Sequence, residues 1–196
     1  GIASGFGEID RLTSGWQPSD LIIVAARPGM GKTAFTLSMA RNISVENNMP
    51  VAFFSLEMSA IQLITRLISS ETGLNSEKLR TGKLEKFEWE LLNVKVTNLE
   101  NAPLYIDDTP SLSIFELRAK ARRLSSQFGI KLIVVDYLQL KTLGSSQKSG
   151  NREQEISTIS RNLKALAKEL DIPIIALSQL SRAVELRGGT KRPILS

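Results

Sequence analysis

Five short, nearly unbroken apolar runs punctuate the chain: Leu21–Ala25, Val51–Ser55, Leu104–Ile106, Leu132–Val135 and Ile172–Leu177. A strand covered on both faces reads as a continuous apolar run rather than an alternation, so each run predicts a buried strand. Helical periodicity fills the intervals. Glu153–Leu170 places Ile156, Ile159, Leu163, Leu166, Ala167 and Leu170 at spacings of three and four, which is one stripe of a helix. Ile114–Gln127 predicts another helix, with Ser113 as N-cap and Glu116 three residues on. Strands alternating with helices predict an α/β fold with a mostly parallel central sheet. No repeat or linker interrupts the pattern, so residues 1–196 read as one domain. Two polar stretches, residues 141–152 and 183–193, read as functional loops and follow predicted strands at their C-terminal ends, where open α/β sheets bind ligands.

Composition narrows the chemistry. The 196 residues are 42% hydrophobic and 23% charged, ordinary values for a folded protein. No apolar run approaches the roughly 20 residues needed to span a bilayer, so no membrane association is expected. There is no cysteine and no histidine, which removes thiolate nucleophiles, serine–histidine triads and zinc held by sulfur or imidazole. A metal here must be held by oxygen, as magnesium is. The absent cysteines fit a cytoplasmic protein. The chain opens on Gly1 rather than Met, so a fragment of a longer protein is expected.

Charge is uneven. Residues 1–140 hold 15 basic and 15 acidic side chains, whereas residues 141–196 hold 10 basic and 5 acidic, so the net charge of +5 sits in the last 56 residues. Such a segment attracts nucleic acid or merely solvates a helix face. Lys148 and Arg152 in the first polar stretch are the candidate DNA-binding cations. Aromatic residues are only 6% and form no stacking cluster, so contact with DNA would go mainly to its backbone.

The sharpest local signal is Ala26-Arg27-Pro28-Gly29-Met30-Gly31-Lys32-Thr33, a P-loop pattern with Ala in place of the first Gly. A predicted strand precedes it, and a helix is predicted from Ala34 to about Asn42. Backbone N–H groups from Arg27 to Ala34 would converge on phosphate oxygens. Gly29 and Gly31 allow the backbone to come close, Lys32 would reach the β- and γ-phosphates, and the Thr33 hydroxyl would bind magnesium. ATP and Mg2+ are therefore the expected cofactors. Asp136 ends the run Leu132–Val135 as a Walker B carboxylate does, acting on magnesium through water. Glu57 ends the strand after the P-loop helix, and reads either as the group that activates water or as an acid favoured near a helix N-terminus. Gln179 ends the last apolar run and reads either as a γ-phosphate contact or as an ordinary strand-end polar residue.

Together these residues resemble the RecA-like ATPase domain of bacterial replicative DNA helicases, the DnaB family. The resemblance runs through Gly5-Phe6 with Ile9-Asp10-Arg11, AARPGMGKTA (Ala25–Ala34), FFSLEMS (Phe53–Ser59), YIDDTPSLSI (Tyr105–Ile114) and IVVDYLQL (Ile133–Leu140). It continues through Arg152–Leu170, Ala176–Arg187 and Lys191-Arg192-Pro193. It implies a three-layer RecA-like P-loop core, truncated at its C-terminal end. It implies that Glu57 activates water and that Gln179 senses the γ-phosphate and links it to DNA-binding loops. It implies a ring-shaped homo-hexamer with ATP between subunits, moving 5′ to 3′ on single-stranded DNA, and primase and loader partners engaged through regions outside this chain. The family's arginine finger is expected beyond Ser196, so weak turnover is expected of these 196 residues alone. Arg182, Arg187, Lys191 and Arg192 are not assigned that role. A KaiC-like or recombinase-like assembly switch, or a phosphate-binding module without catalysis, would use the same P-loop.

Overall fold

The computed structural model describes residues 1–26, 31–136 and 149–179. Five strands form one sheet: β1 (Leu21–Ala26), β2 (Val51–Ser55), β3 (Leu104–Asp107), β4 (Leu132–Asp136) and β5 (Ile174–Gln179), in spatial order β1-β5-β4-β2-β3. Every pairing is parallel. Parallel neighbours need crossovers, and helices supply them. The helices are α1 (Gly7–Thr13), α2 (Lys32–Arg41), α3 (Ala60–Thr72), α4 (Ser76–Thr81), α5 (Lys86–Glu100), α6 (Ile114–Phe128) and α7 (Ser149–Leu170). A π-helical turn at Asn42–Glu46 extends α2.

The continuous apolar strands divide their side chains by parity. Ala52, Phe54, Ile133, Val135, Ile174 and Ala176 pack with Leu117 and Ala121 of α6 and Ile159, Leu163 and Leu166 of α7. Val51, Phe53, Leu132, Val134, Ile175 and Leu177 pack on the other face with Leu37 and Met39 of α2 and Leu63 and Leu67 of α3. The α/β sandwich therefore has three layers, with an apolar core on each face of the sheet. Burying a full Leu, Ile or Phe contributes roughly 1.5–3 kcal/mol, and both cores are built mainly from such side chains.

Four of the five predicted strands stand where the apolar runs placed them, β1, β3 and β4 each one residue longer. The fifth begins two residues late, at Ile174, because Pro173 offers no N–H to a ladder. Its carbonyl still accepts from Ile133 N at 3.1 Å. The predicted cap of α6 is present: Ser113 Oγ accepts from Glu116 N at 3.1 Å. Helix α7 starts at Ser149, four residues before the predicted Glu153, so Arg152 stands on a helix rather than in a loop. Once a helix is nucleated, each further polar residue adds a backbone hydrogen bond, and the apolar stripe need not reach that far. No described helix is long and apolar enough to cross a membrane.

Candidate nucleotide site

All five strands run the same way, so their C-terminal ends meet along one edge of the sheet. Register sets the neighbours there. Ser55 lies opposite Asp136, and Ala26, the residue entering the P-loop, lies opposite Gln179. The sheet thus brings together the ends of the P-loop strand, the Walker B strand and the strand carrying Gln179. Arg27, Pro28, Gly29, Met30 and Lys148 lie outside the described residues.

The P-loop leaves its imprint on the start of α2. Gly31 caps the helix at φ 69°, ψ 21°, a left-handed conformation. A side chain there would meet nothing within 4 Å among the described residues, so glycine is favoured by backbone conformation rather than by space. Lys32 and Thr33 are the first two residues of α2, both partly buried, and Ala34 is exposed. The first N–H groups of any α-helix have no acceptor within the helix, and with the helix dipole they favour an anion at this end.

Thr33 and Asp136 meet directly: the Thr33 hydroxyl donates to Asp136 Oδ2 at 3.0 Å across a sequence separation of 103 residues. Asp136 is 3% exposed. Burial raises its pKa above the usual carboxylate value. The Thr33 hydrogen bond and the charge of Lys32 act against that rise, the charge of Glu57 adds to it, and Arg66 opposes it weakly. Lys32, Glu57 and Arg66 therefore all stand within electrostatic reach of the Walker B carboxylate.

The donor set suits magnesium. A hydroxyl and a carboxylate, both oxygen ligands, face each other at the head of a helix that favours phosphate. Among the described residues no three acidic side chains gather into a metal cage. Magnesium is commonly bound in this way, with few protein ligands and the remainder from water and phosphate.

Glu57 follows β2 by two residues and is exposed at the same edge. Its side chain is open to solvent rather than packed. Its strand neighbour Ser55 is 1% exposed, and its hydroxyl donates to Met58 O at 2.7 Å. Arg66 was not singled out by the sequence pattern, because an arginine beside Leu63 and Leu67 reads as the polar flank of an amphipathic helix. Arg122, on α6, is spent on structure, its Nη2 lying 3.0 Å from Glu169 Oε2 of α7.

The family model for the DnaB-like helicase C-terminal domain matches residues 1–196. The chain is 56% identical over 196 residues to the replicative DNA helicase DnaB of Geobacillus stearothermophilus, and 51% identical over 196 residues to the replicative DNA helicase DnaC of Bacillus subtilis. In both cases the match covers 100% of this chain and 43% of the relative, so the chain spans less than half their length. Among solved structures, an ATPase domain superposes with a TM-score of 0.87 at 38% identity, covering 99% of this chain and 68% of that one. A DnaB-like replicative helicase, described with its interactions with primase, superposes with a TM-score of 0.86 at 39% identity, covering 100% of this chain and 46% of that one. The likeness in sequence and in fold runs the length of the chain, P-loop strand and Walker B strand included, and the chain belongs to the DnaB-like helicase C-terminal domain family.

Proposed function

We propose that this chain is the motor of a replicative DNA helicase. ATP bound between subunits of a hexameric ring is hydrolysed, and the cycle drives 5′-to-3′ movement along single-stranded DNA and separation of the duplex. The observation that carries this reading is the Thr33–Asp136 hydrogen bond at the head of α2, in a chain matched along its whole length by the helicase family. That match supports a motor over an assembly switch of related fold.

The residues divide the work. Backbone N–H groups at the start of α2, with the P-loop Arg27–Gly31, cradle the phosphates. Lys32 neutralises charge on the β- and γ-phosphates. Thr33 and Asp136 would hold magnesium, Asp136 through water, and the ion when bound supplies Lewis-acid charge to the phosphoryl group. Glu57 orients and deprotonates the attacking water. Gln179, beside Ala26 in the register, reports the γ-phosphate to the segment that follows it. Lys148 and Arg152 meet the DNA backbone. Primase and a helicase loader would be engaged by parts of the protein outside this chain, in the cytoplasm.

The test is ATP hydrolysis with and without single-stranded DNA, on the full-length protein carrying this chain, beside Lys32→Ala. Hydrolysis that rises with DNA and disappears in the variant is expected. Hydrolysis indifferent to DNA would favour the assembly switch. For the DNA contacts, Lys148→Ala with Arg152→Ala should weaken binding and reduce the salt slope by about one unit per lost phosphate contact. An unchanged slope would return both cations to solvent.

A further inference from the structure

The turn that presents Glu57 is held from several sides. Leu56 N donates to Asp136 O at 2.7 Å. Ser55 Oγ donates to Met58 O at 2.7 Å. Ser59 N donates to Gln62 Oε1 at 3.0 Å, and Gln62 N to Ser59 Oγ at 3.2 Å, which closes a capping box at the start of α3. The next residue, Ala60, is the first of α3, and its N–H has no partner within the helix. It donates to Asp108 Oδ2 at 2.9 Å, 48 residues away in sequence.

Asp108 reaches this point from a loop that is itself fixed. Its neighbour Asp107 ends β3 and accepts from Lys120 Nζ at 2.8 Å and from Thr109 N at 3.0 Å. Lys120 Nζ also lies 2.7 Å from Thr109 Oγ1. The two adjacent carboxylates have therefore divided their tasks. Asp107 ties its own loop to α6, and Asp108 turns across to α3. With the order β4-β2-β3, the Glu57 turn lies between the Walker B strand on one side and the Asp108 loop on the other.

An exposed carboxylate that must meet one water molecule depends on the backbone beneath it for its position. Misplacement of a reacting group by about 1 Å costs up to about 100-fold in rate. We propose that Asp108 is a positioning residue for hydrolysis: by anchoring the first N–H of α3 it fixes the turn that carries Glu57. This rests on Glu57 being the water-activating group, as proposed above.

The experiment compares Asp108→Ala, Asp108→Asn, Ala60→Pro and Glu57→Gln in the full-length protein. It measures kcat, KM for ATP, nucleotide affinity and thermal melting. Asp108→Ala should lower kcat about tenfold, with nucleotide affinity unchanged. Asp108→Asn keeps an acceptor oxygen and should restore most of the rate. Ala60→Pro deletes the same hydrogen bond from its donor side, at the first helical position that proline tolerates well. Ser59, at φ −71° and ψ 157°, already has the extended conformation a following proline demands. Ala60→Pro should therefore match Asp108→Ala in kcat while melting like the parent, so the result stands even where Asp108→Ala folds poorly. An unchanged kcat in Ala60→Pro would overturn the proposal, as would a loss equally large in nucleotide affinity. Collapse of turnover in Glu57→Gln with an unaffected Ala60→Pro would defeat the Asp108 role alone. Retained turnover in Glu57→Gln would defeat the Glu57 assignment, and the proposal with it.

Discussion

Two strands end in aspartate along the same edge of the sheet, and the two carboxylates have opposite fates. Asp107 at the end of β3 is pushed up by burial, but the Lys120 ammonium and the Thr109 amide and hydroxyl outweigh that, and its pKa is lowered. Asp136 at the end of β4 is pushed up by burial, and the Thr33 hydroxyl and the Lys32 charge do not outweigh it, so its pKa is raised. The first carboxylate is satisfied by its own chain. The second is a buried carboxylate whose partners among the described residues do not offset its burial, an environment that suits the cation proposed for it. Two aspartates at equivalent strand ends therefore differ in their balance of partners, a difference that strand-end position alone does not reveal.

Asp136→Asn breaks the comparison most severely. An amide oxygen still accepts from Thr33, but the charge that would orient a magnesium shell is gone. Turnover should fall by at least about 10³-fold, as removal of several kcal/mol of metal-assisted stabilisation requires. The same change should stabilise the nucleotide-free protein at neutral pH, because it deletes a charge that burial disfavours. For a chain of this size each kcal/mol gained raises Tm by about 2–4 °C. Thermal melting beside an ATPase assay would check both. A variant less active and also less stable would show that Asp136 is held for structure.

Glu57→Gln sharpens the contrast from the exposed side. Glu57 stands in water, and its replacement should leave the fold and ATP binding intact. Turnover should fall by about 10²-fold or more, the usual contribution of a positioned base. Measuring ATP affinity with the hydrolysis rate separates the two effects. Equal loss of both would make Glu57 a binding residue instead.

The sheet was legible because burial on both faces leaves a signature four or five residues long, as in Leu132–Val135. The P-loop and Asp136 were legible because each is a local pattern tied to a strand end. The region between β2 and β3 was harder to read. Helix α5 packs Leu99 against the core but buries one charged residue, Glu88, at 5% exposure, and leaves Phe87 and Trp89 at 69% and 45%, so apolar character alone does not mark its packed face. Asp108 within Asp107-Asp108-Thr109-Pro110 reads as an ordinary turn, and its bond to Ala60 depends on a strand order that no local pattern encodes. Arg66 is hidden from local pattern for the same reason: its nearness to Asp136 is set by how α3 lies on the sheet.

The smallest expected effect tests the Asp107 half of the comparison. A carboxyl whose folded pKa is lowered binds its proton less tightly in the folded chain than in the unfolded one. Its contribution to stability is therefore complete above the unfolded value of 3.8 and is lost as pH falls through the lower, folded value. Asp107→Asn removes that contribution. Because the Asp107 and Lys120 side chains are 22% and 28% exposed, solvent screens the pair, and the loss should be no more than about 1 kcal/mol. Tm should drop by no more than about 2–4 °C at pH 7, and the gap to the parent should stay level down to about pH 5. It should narrow only below 3.8 and shrink with added salt, by as much as the pair is screened. A gap that closes between pH 7 and pH 5 would mean that another titrating group holds this strand end. Asp107 would then no longer stand as the self-satisfied counterpart of Asp136.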